Sequence, residues 1–204
     1  MKQKLASFFY LLASYLTMPA SEAHLAYRLA QVSTSFRVTL YCTAFFWAGL
    51  SVVSVLPGLV FRCLAALFQI ESFLLKTYGK PKTLSHDKTF TCLFWNLCAP
   101  FGGYSITDGG VYPFRFRLDR ICSLLEDLSA DVICLFEVFD MQDARALIQC
   151  LKPHGYHQFC YHVNPKVIGV SSGIFVASKY VIDSLELVEF PQATLIGRTK
   201  FSGK

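Results

Sequence analysis

Charge is scarce in this chain of 204 residues: Asp, Glu, Lys and Arg make up only 16% of it, where ordinary soluble domains hold about 25%. With 53% apolar residues, that scarcity excludes a disordered chain, a collagen-like chain and a charge-rich coiled coil. The mean hydropathy of +0.42 is high for a purely soluble globule. C-x-x-C spacing is also missing among the eight cysteines, so zinc-ribbon and thioredoxin-like readings have no support. Most of the cysteines lie in apolar runs, Cys134 in Asp131-Val-Ile-Cys-Leu and Cys122 in Arg120-Ile-Cys-Ser-Leu-Leu among them. A free cysteine in such a run behaves as a small hydrophobe, so the set reads as reduced and buried. The even count leaves a disulfide framework as the alternative.

The charge that is present is uneven. Residues 1–89 hold nine Lys/Arg and three Asp/Glu, a net of +6, whereas residues 90–204 hold ten and eleven, a net of −1. A basic, hydrophobic first half joined to a nearly neutral second half suits a membrane-flanking region followed by a folded domain. It argues against a nucleic-acid-binding face on the folded part.

Between Arg37 and Arg62 no residue is charged over 24 positions, a helix of about 36 Å against a hydrocarbon core of about 30 Å. A second charge-free run, Cys63 to Ile70, follows, and Phe73-Leu74-Leu75 extends the hydrophobic stretch to Lys76. Pro57-Gly58 interrupts it. Two arrangements satisfy the pattern: a single span with an interfacial continuation, or a re-entrant hairpin turning at Pro57-Gly58. Basic residues flank both sides, so charge does not fix the orientation. At the N-terminus, Leu5 to Leu16 is a further apolar run behind Lys2 and Lys4, with the small residues of Pro19-Ala-Ser-Glu-Ala23 after it. That composition fits a secretory signal, an uncleaved anchor or an amphipathic surface helix. The expected layout is an N-terminal hydrophobic segment over 1–37, a membrane span or hairpin over 38–76, a polar linker over 77–89 and a folded domain over 90–204.

In the folded half, Phe90 to Asn96 reads as a buried strand and Leu97 to Pro113, with its glycines and prolines, as a loop. Over 114–128, Phe114, Leu118, Ile121, Leu125 and Leu128 recur at helical spacing, with Arg115, Arg117 and Asp119 turned outward. Val132 to Glu137 is a continuous apolar run, a strand covered on both faces. Asp140 caps a helix over 141–151, which Pro153-His-Gly155 stops. Further strands are expected over 156–163, 173–178 and 185–190, giving an α/β domain with helices packed on a mixed sheet.

Asn96 and Glu137 close two strands joined by one helix, so both side chains are expected on the carboxyl edge of the sheet, where α/β folds place their sites. A carboxylate ending an apolar strand is costly to bury alone. Solvent or an arginine can relieve it, and so can a hard Mg²⁺ ion, which takes one or two carboxylates and completes its shell with water and phosphate. His154, His157 and His162 read as ordinary loop and strand histidines. Ser171-Ser172-Gly173 reads as a strand-entry turn, and Lys179 as a strand-end lysine.

Three segments together resemble the endonuclease/exonuclease/phosphatase superfamily: Phe94-Trp-Asn96, Ala130-Asp-Val-Ile-Cys-Leu-Phe-Glu137 and Ser172-Gly-Ile-Phe-Val-Ala-Ser-Lys179. The last, preceded by Val167-Ile-Gly169, is most similar to the neutral sphingomyelinase branch. The resemblance covers about residues 88–204. It implies the N-terminal part of a four-layer αββα sandwich and Mg²⁺-dependent cleavage of a phosphodiester or phospholipid at a membrane. It also implies Glu137 as metal ligand, with Asn96 helping to hold metal or phosphate. Phe136 stands where that family usually has Gln, and Val181 where it usually has Pro. The larger departure is that no Asp-x-Asn follows Glu137, and none of the three later histidines follows an Asp. In-line attack on phosphorus needs a base and charge-stabilising groups besides the metal. The expectation is therefore a truncated or split phosphoesterase, inactive as this chain, whose C-terminal half was lost or is separately encoded. The alternative is a non-catalytic membrane protein that keeps a degenerate half-domain as an interaction surface.

Overall fold

The computed structural model describes residues 2–68, 72–83, 89–99, 111–164, 171–186 and 188. They belong to two compact units, one of residues 1–70 with 99–116 and one of residues 71–98 with 117–204.

The first unit is built on two long helices, α1 (Lys2–Val32) and α2 (Arg37–Phe68). Phe9 lies against Phe61 and Phe68, and Tyr27 lies near Tyr41, so the helices run antiparallel as a hairpin about a turn at residues 33–36. Their contact is lined by small side chains: Ala6, Ala13, Ala26 and Ala30 on α1, and Ala44, Gly58 and Ala65 on α2. Gly58 is required there, because a Cβ would stand 2.9 Å from Thr17 Cγ2 and 3.2 Å from Leu16 Cβ. Arg62 is buried in the same contact and donates to Thr17 Oγ1 at 3.3 Å.

The re-entrant turn expected at Pro57-Gly58 is not present. Pro57 removes one helical hydrogen bond, yet α2 continues through it, with the neighbouring glycine pressed onto α1. α2 is long and apolar enough to cross a membrane, and 17% of its most apolar 18-residue window is buried.

The second unit is a mixed five-stranded sheet with helices. Its strands are β1 (Leu74–Thr77), β2 (Cys92–Ala99), β3 (Val132–Val138), β4 (Gln158–Tyr161) and β5 (Phe175–Ser178), in the spatial order β1-β4-β5-β3-β2. β1 with β4, β4 with β5, and β5 with β3 are antiparallel. β2 and β3 run in the same direction: Thr91 bonds Asp131 at their starts and Asn96 bonds Glu137 toward their ends. The link between them contains α3 (Phe114–Leu128), and α4 (Met141–Leu151) follows β3. α4 starts where Asp140 Oδ1 accepts from Gln142 N at 2.7 Å. It ends in a short 3₁₀ turn closed by Gly155 at φ 86°, a left-handed conformation suited to glycine. Ile133, Leu135, Leu147, Leu151, Phe159 and Phe175 are fully buried between α4 and the sheet. Truncating one of these to Ala removes about 2–5 kcal/mol.

Several expectations need correction. Leu74–Thr77 does not extend the membrane segment. It pairs with β4 from Leu74↔Tyr161 to Thr77↔Gln158, and the expected linker is held in part by a bridge between Lys82 and Tyr180. The strand expected over 90–96 starts at Cys92 and runs on to Ala99 at the sheet edge, with Phe94 66% exposed rather than buried. β3 is fully covered on one face only, because Ile133 and Leu135 are buried while Cys134 and Phe136 are partly exposed. In α3, Leu128 is exposed and Arg117 turns inward. Of the strand expected over 185–190, residues 185, 186 and 188 are not in a strand, and 187, 189 and 190 lie outside the described residues. Cys122 of α3 and Cys150 of α4 form a disulfide, with Cα atoms 6.1 Å apart. Each sits on a partly exposed flank of its helix rather than in the core. Closing a separation of 28 residues constrains the unfolded chain by roughly 3–4 kcal/mol. Cys42, Cys63, Cys92, Cys98, Cys134 and Cys160 are free.

Candidate functional site

Because β2 and β3 are parallel, their carboxyl ends share one edge of the sheet. Asn96 Nδ2 donates to Glu137 Oε1 at 2.8 Å, and Asn96 Oδ1 accepts from the Cys98 backbone N–H at 2.9 Å. The amide is thus locked between a local turn and the carboxylate. Glu137 Oε2 is shielded from solvent and has no hydrogen-bond partner among the described residues. An unpaired buried carboxylate oxygen is costly, and orphaned polar atoms of this kind mark strained or functional positions.

The backbone here is strained as well. Cys98 (φ 48°) and Glu137 (φ 64°) adopt left-handed conformations, as do His162 (φ 53°) and Asn164 (φ 50°) beyond the end of β4. β4 and β3 point the same way, both antiparallel to β5, so these four residues lie on one edge. Non-glycine residues held in this region cluster at functional sites. Opposite Glu137 stands Gly173 at φ 82°, whose carbonyl accepts from Val138 N at 2.8 Å. A Cβ on Gly173 would stand 3.0 Å from Glu137 Cα and 2.8 Å from Phe139 Cε1. Ser171 Oγ accepts from Gly173 N at 3.1 Å, making the turn that leads into β5.

Arg117 shapes the other side. Its Nη1 donates to Leu97 O at 2.8 Å and its Nη2 to Cys98 O at 2.7 Å, forking over the last carbonyls of β2. The Cys98 thiol sits against Glu137. Burial pushes it up first, then the charge of Glu137 and their hydrogen bond, while Arg117 opposes them. Cys98 is therefore a neutral thiol rather than a nucleophile. Neither Arg117 nor Gly173 was assigned to the site from sequence. Helical periodicity placed Arg117 outward, and only the long reach of the side chain brings its fork to the strand end.

Asp143, in the first turn of α4, has its carboxyl pushed up to about 7, chiefly by burial and then by the charge of Asp140, with Arg117 opposing. Its folded value lies above the ordinary 3.8. Its contribution to stability is therefore fully present below about pH 4 and is lost as pH rises through 7. Urea unfolding at pH 5 and pH 8 should show lower stability at pH 8 by on the order of 2 kcal/mol, and Asp143→Asn should remove that difference.

The remaining sequence-selected residues lie elsewhere. His154 Nδ1 is 3.3 Å from Glu126, and His157 Nδ1 is 2.8 Å from the Tyr78 carbonyl. Lys179 Nζ donates to Ser129 O at 2.8 Å and lies over the Tyr156 ring. Among the described residues no three His, Cys, Asp or Glu side chains gather to hold a metal ion. What Glu137 offers is a solvent-shielded carboxylate oxygen beside a fixed amide and the Cys98 thiol; a hard cation takes such an oxygen by giving up water on that side of its shell. Comparison of the chain with protein-family models, with curated proteins and with solved structures gave no match.

Proposed function

We propose that this chain is a membrane-attached, Mg²⁺-dependent phosphodiesterase-type hydrolase of the kind its sequence resembles, in which Glu137 is the metal ligand. The observation that carries the reading is the solvent-shielded, unpaired Oε2 of Glu137, whose Oε1 is pinned by Asn96. When bound, the cation supplies charge for the phosphoryl oxygens and lowers the pKa of a bound water. Asn96 orients the carboxylate, Arg117 holds the end of β2, and Gly173 leaves room for the Glu137 backbone. No Asp-x-Asn or Asp-His pair follows Glu137 to serve as base, so turnover depends on groups supplied by a second half-domain. A second sheet there, as in an αββα sandwich, would cover the exposed side of β2, where Phe94 is 66% exposed.

Membrane attachment in this reading rests on the α1–α2 hairpin. Small residues at a helix contact are what close packing in lipid favours, and α2 presents Phe45, Val52 and Leu67 outward at 80% exposure or more. A tethered site of this kind acts on phospholipid headgroups in the plane of the bilayer.

One observation favours a second reading, a non-catalytic membrane protein with a residual half-domain: the absence of a three-residue metal cluster among the described residues. Release of phosphocholine from sphingomyelin vesicles by the chain supplied with such a second half-domain, with Mg²⁺ or EDTA, together with thermal unfolding of the chain alone with and without Mg²⁺, separates the two. Metal-dependent turnover that Glu137→Ala reduces at least 100-fold supports the hydrolase. Turnover unaffected by Glu137→Ala contradicts the assigned role. Absence of both turnover and Mg²⁺-dependent stabilisation supports the second reading.

A further inference from the structure

Toward the opposite edge of the sheet from β2, a lysine, an arginine and a buried phenol lie near one another with no acidic side chain paired to them among the described residues. Lys76 Nζ, on β1, lies 6.0 Å from the centre of the Tyr161 ring on β4. Arg145, on α4, is near enough that its charge depresses the Lys76 ammonium, after burial, and opposes the upward push of burial on the Tyr161 phenol. The Tyr161 side chain is fully buried, and its hydroxyl has no hydrogen-bond partner among the described residues. Arg145 Nε is likewise shielded and unpaired. The acid nearest in sequence, Asp143, feels chiefly the charges of Asp140 and Arg117.

Two partly buried like charges beside a buried hydroxyl repel one another and leave desolvated donors unsatisfied, an arrangement that an anion resolves. We propose that Lys76, Arg145 and Tyr161 form a binding site for a phosphate-type oxyanion, separate from the Glu137 site. A guanidinium and an ammonium match such a ligand through charge-assisted hydrogen bonds, and the phenol donates a third. The same chemistry is offered by free phosphate and by the phosphomonoester headgroup of a lipid such as phosphatidic acid. The site contains neither Glu137 nor Asn96, and it stands or falls independently of the proposed hydrolase.

The test uses the full chain in phosphatidylcholine nanodiscs with EDTA present, so that no metal site contributes. In one arm inorganic phosphate is titrated at matched ionic strength against chloride, with binding read by calorimetry and by thermal unfolding. In the other arm the nanodiscs contain phosphatidic acid. Phosphate should bind and raise the Tm, and chloride should not. Arg145→Gln and Lys76→Gln should each weaken binding about tenfold or more, the loss of one charge-assisted bond. Tyr161→Phe, which deletes one oxygen and keeps the packing, should weaken it severalfold even if the charge variants fold poorly. Stabilisation by phosphatidic acid, with free phosphate then unable to bind, identifies a lipid headgroup; stabilisation by free phosphate alone identifies a soluble anion. No response to either source, or a response unchanged by Tyr161→Phe and Arg145→Gln, overturns the site.

Discussion

Replacing Phe45, Val52 and Leu56 together by Asp moves the chain from the membrane fraction to the soluble fraction. These side chains are 84%, 80% and 70% exposed on α2, and none belongs to the small-residue contact with α1, so the hairpin itself should persist. Each Asp near the centre of a span costs about 2.5–3.5 kcal/mol, and three together about 9 kcal/mol, enough to shift partitioning by roughly six orders of magnitude. Liposome flotation measures the outcome, with circular dichroism confirming that the helices remain. If these faces are covered by protein rather than lipid, the triple variant loses helical signal, and the wild-type chain does not float with liposomes.

The second large effect is expected at a residue with no side chain. Gly173→Ala should weaken the response of the protein to divalent cations about 10–100-fold while leaving Glu137 and Asn96 chemically intact. Alanine at φ 82° costs about 1–2 kcal/mol from the left-handed conformation alone. The added methyl would also stand 3.0 Å from Glu137 Cα, a backbone atom that cannot rotate away. Relief requires β3 and β5 to separate, which pulls Val138 N off Gly173 O and swings the Glu137 carboxylate away from Asn96. An amide-to-carboxylate misplacement of this kind typically costs 10–100-fold in metal affinity. Cation binding equal to that of the wild type would show that Gly173 serves the fold only.

Much of the second unit was legible because its helices carry strong periodic and capping signals. α3 occupies residues 114–128, and α4 runs over 141–151 between Asp140 and the Pro153-His-Gly155 stop. β1 was not legible. Leu74 and Leu75 continue an apolar run, and a four-residue edge strand is defined by its pairing with β4 rather than by any pattern of its own. The exposure of Phe94 was hidden for a related reason: a strand's composition does not reveal whether it ends up central or at an edge. The Cys122–Cys150 bond depends on how two helices lie beside one another, which spacing along the chain does not encode. At the site, the proximity of Asn96 and Glu137 followed from two strands joined by one helix. The fork of Arg117 and the proximity of Gly173 to the Glu137 backbone depend on long-range packing and on positive φ values, and no local pattern announces either. The Lys76–Arg145–Tyr161 group joins β1 to the distant α4 and β4 through strand pairing and was equally invisible.

The claim on which the functional account rests is that Glu137 Oε2 holds a divalent cation beside Asn96. Titration of the nanodisc-bound chain with Mn²⁺, as a paramagnetic stand-in for Mg²⁺, followed by electron paramagnetic resonance, reads that claim without requiring turnover. The account predicts a bound Mn²⁺ that Mg²⁺ displaces, that Glu137→Gln eliminates, and that Asn96→Ala weakens about tenfold or more. Equal Mn²⁺ binding by the wild type and Glu137→Gln, or no binding by either, would contradict it.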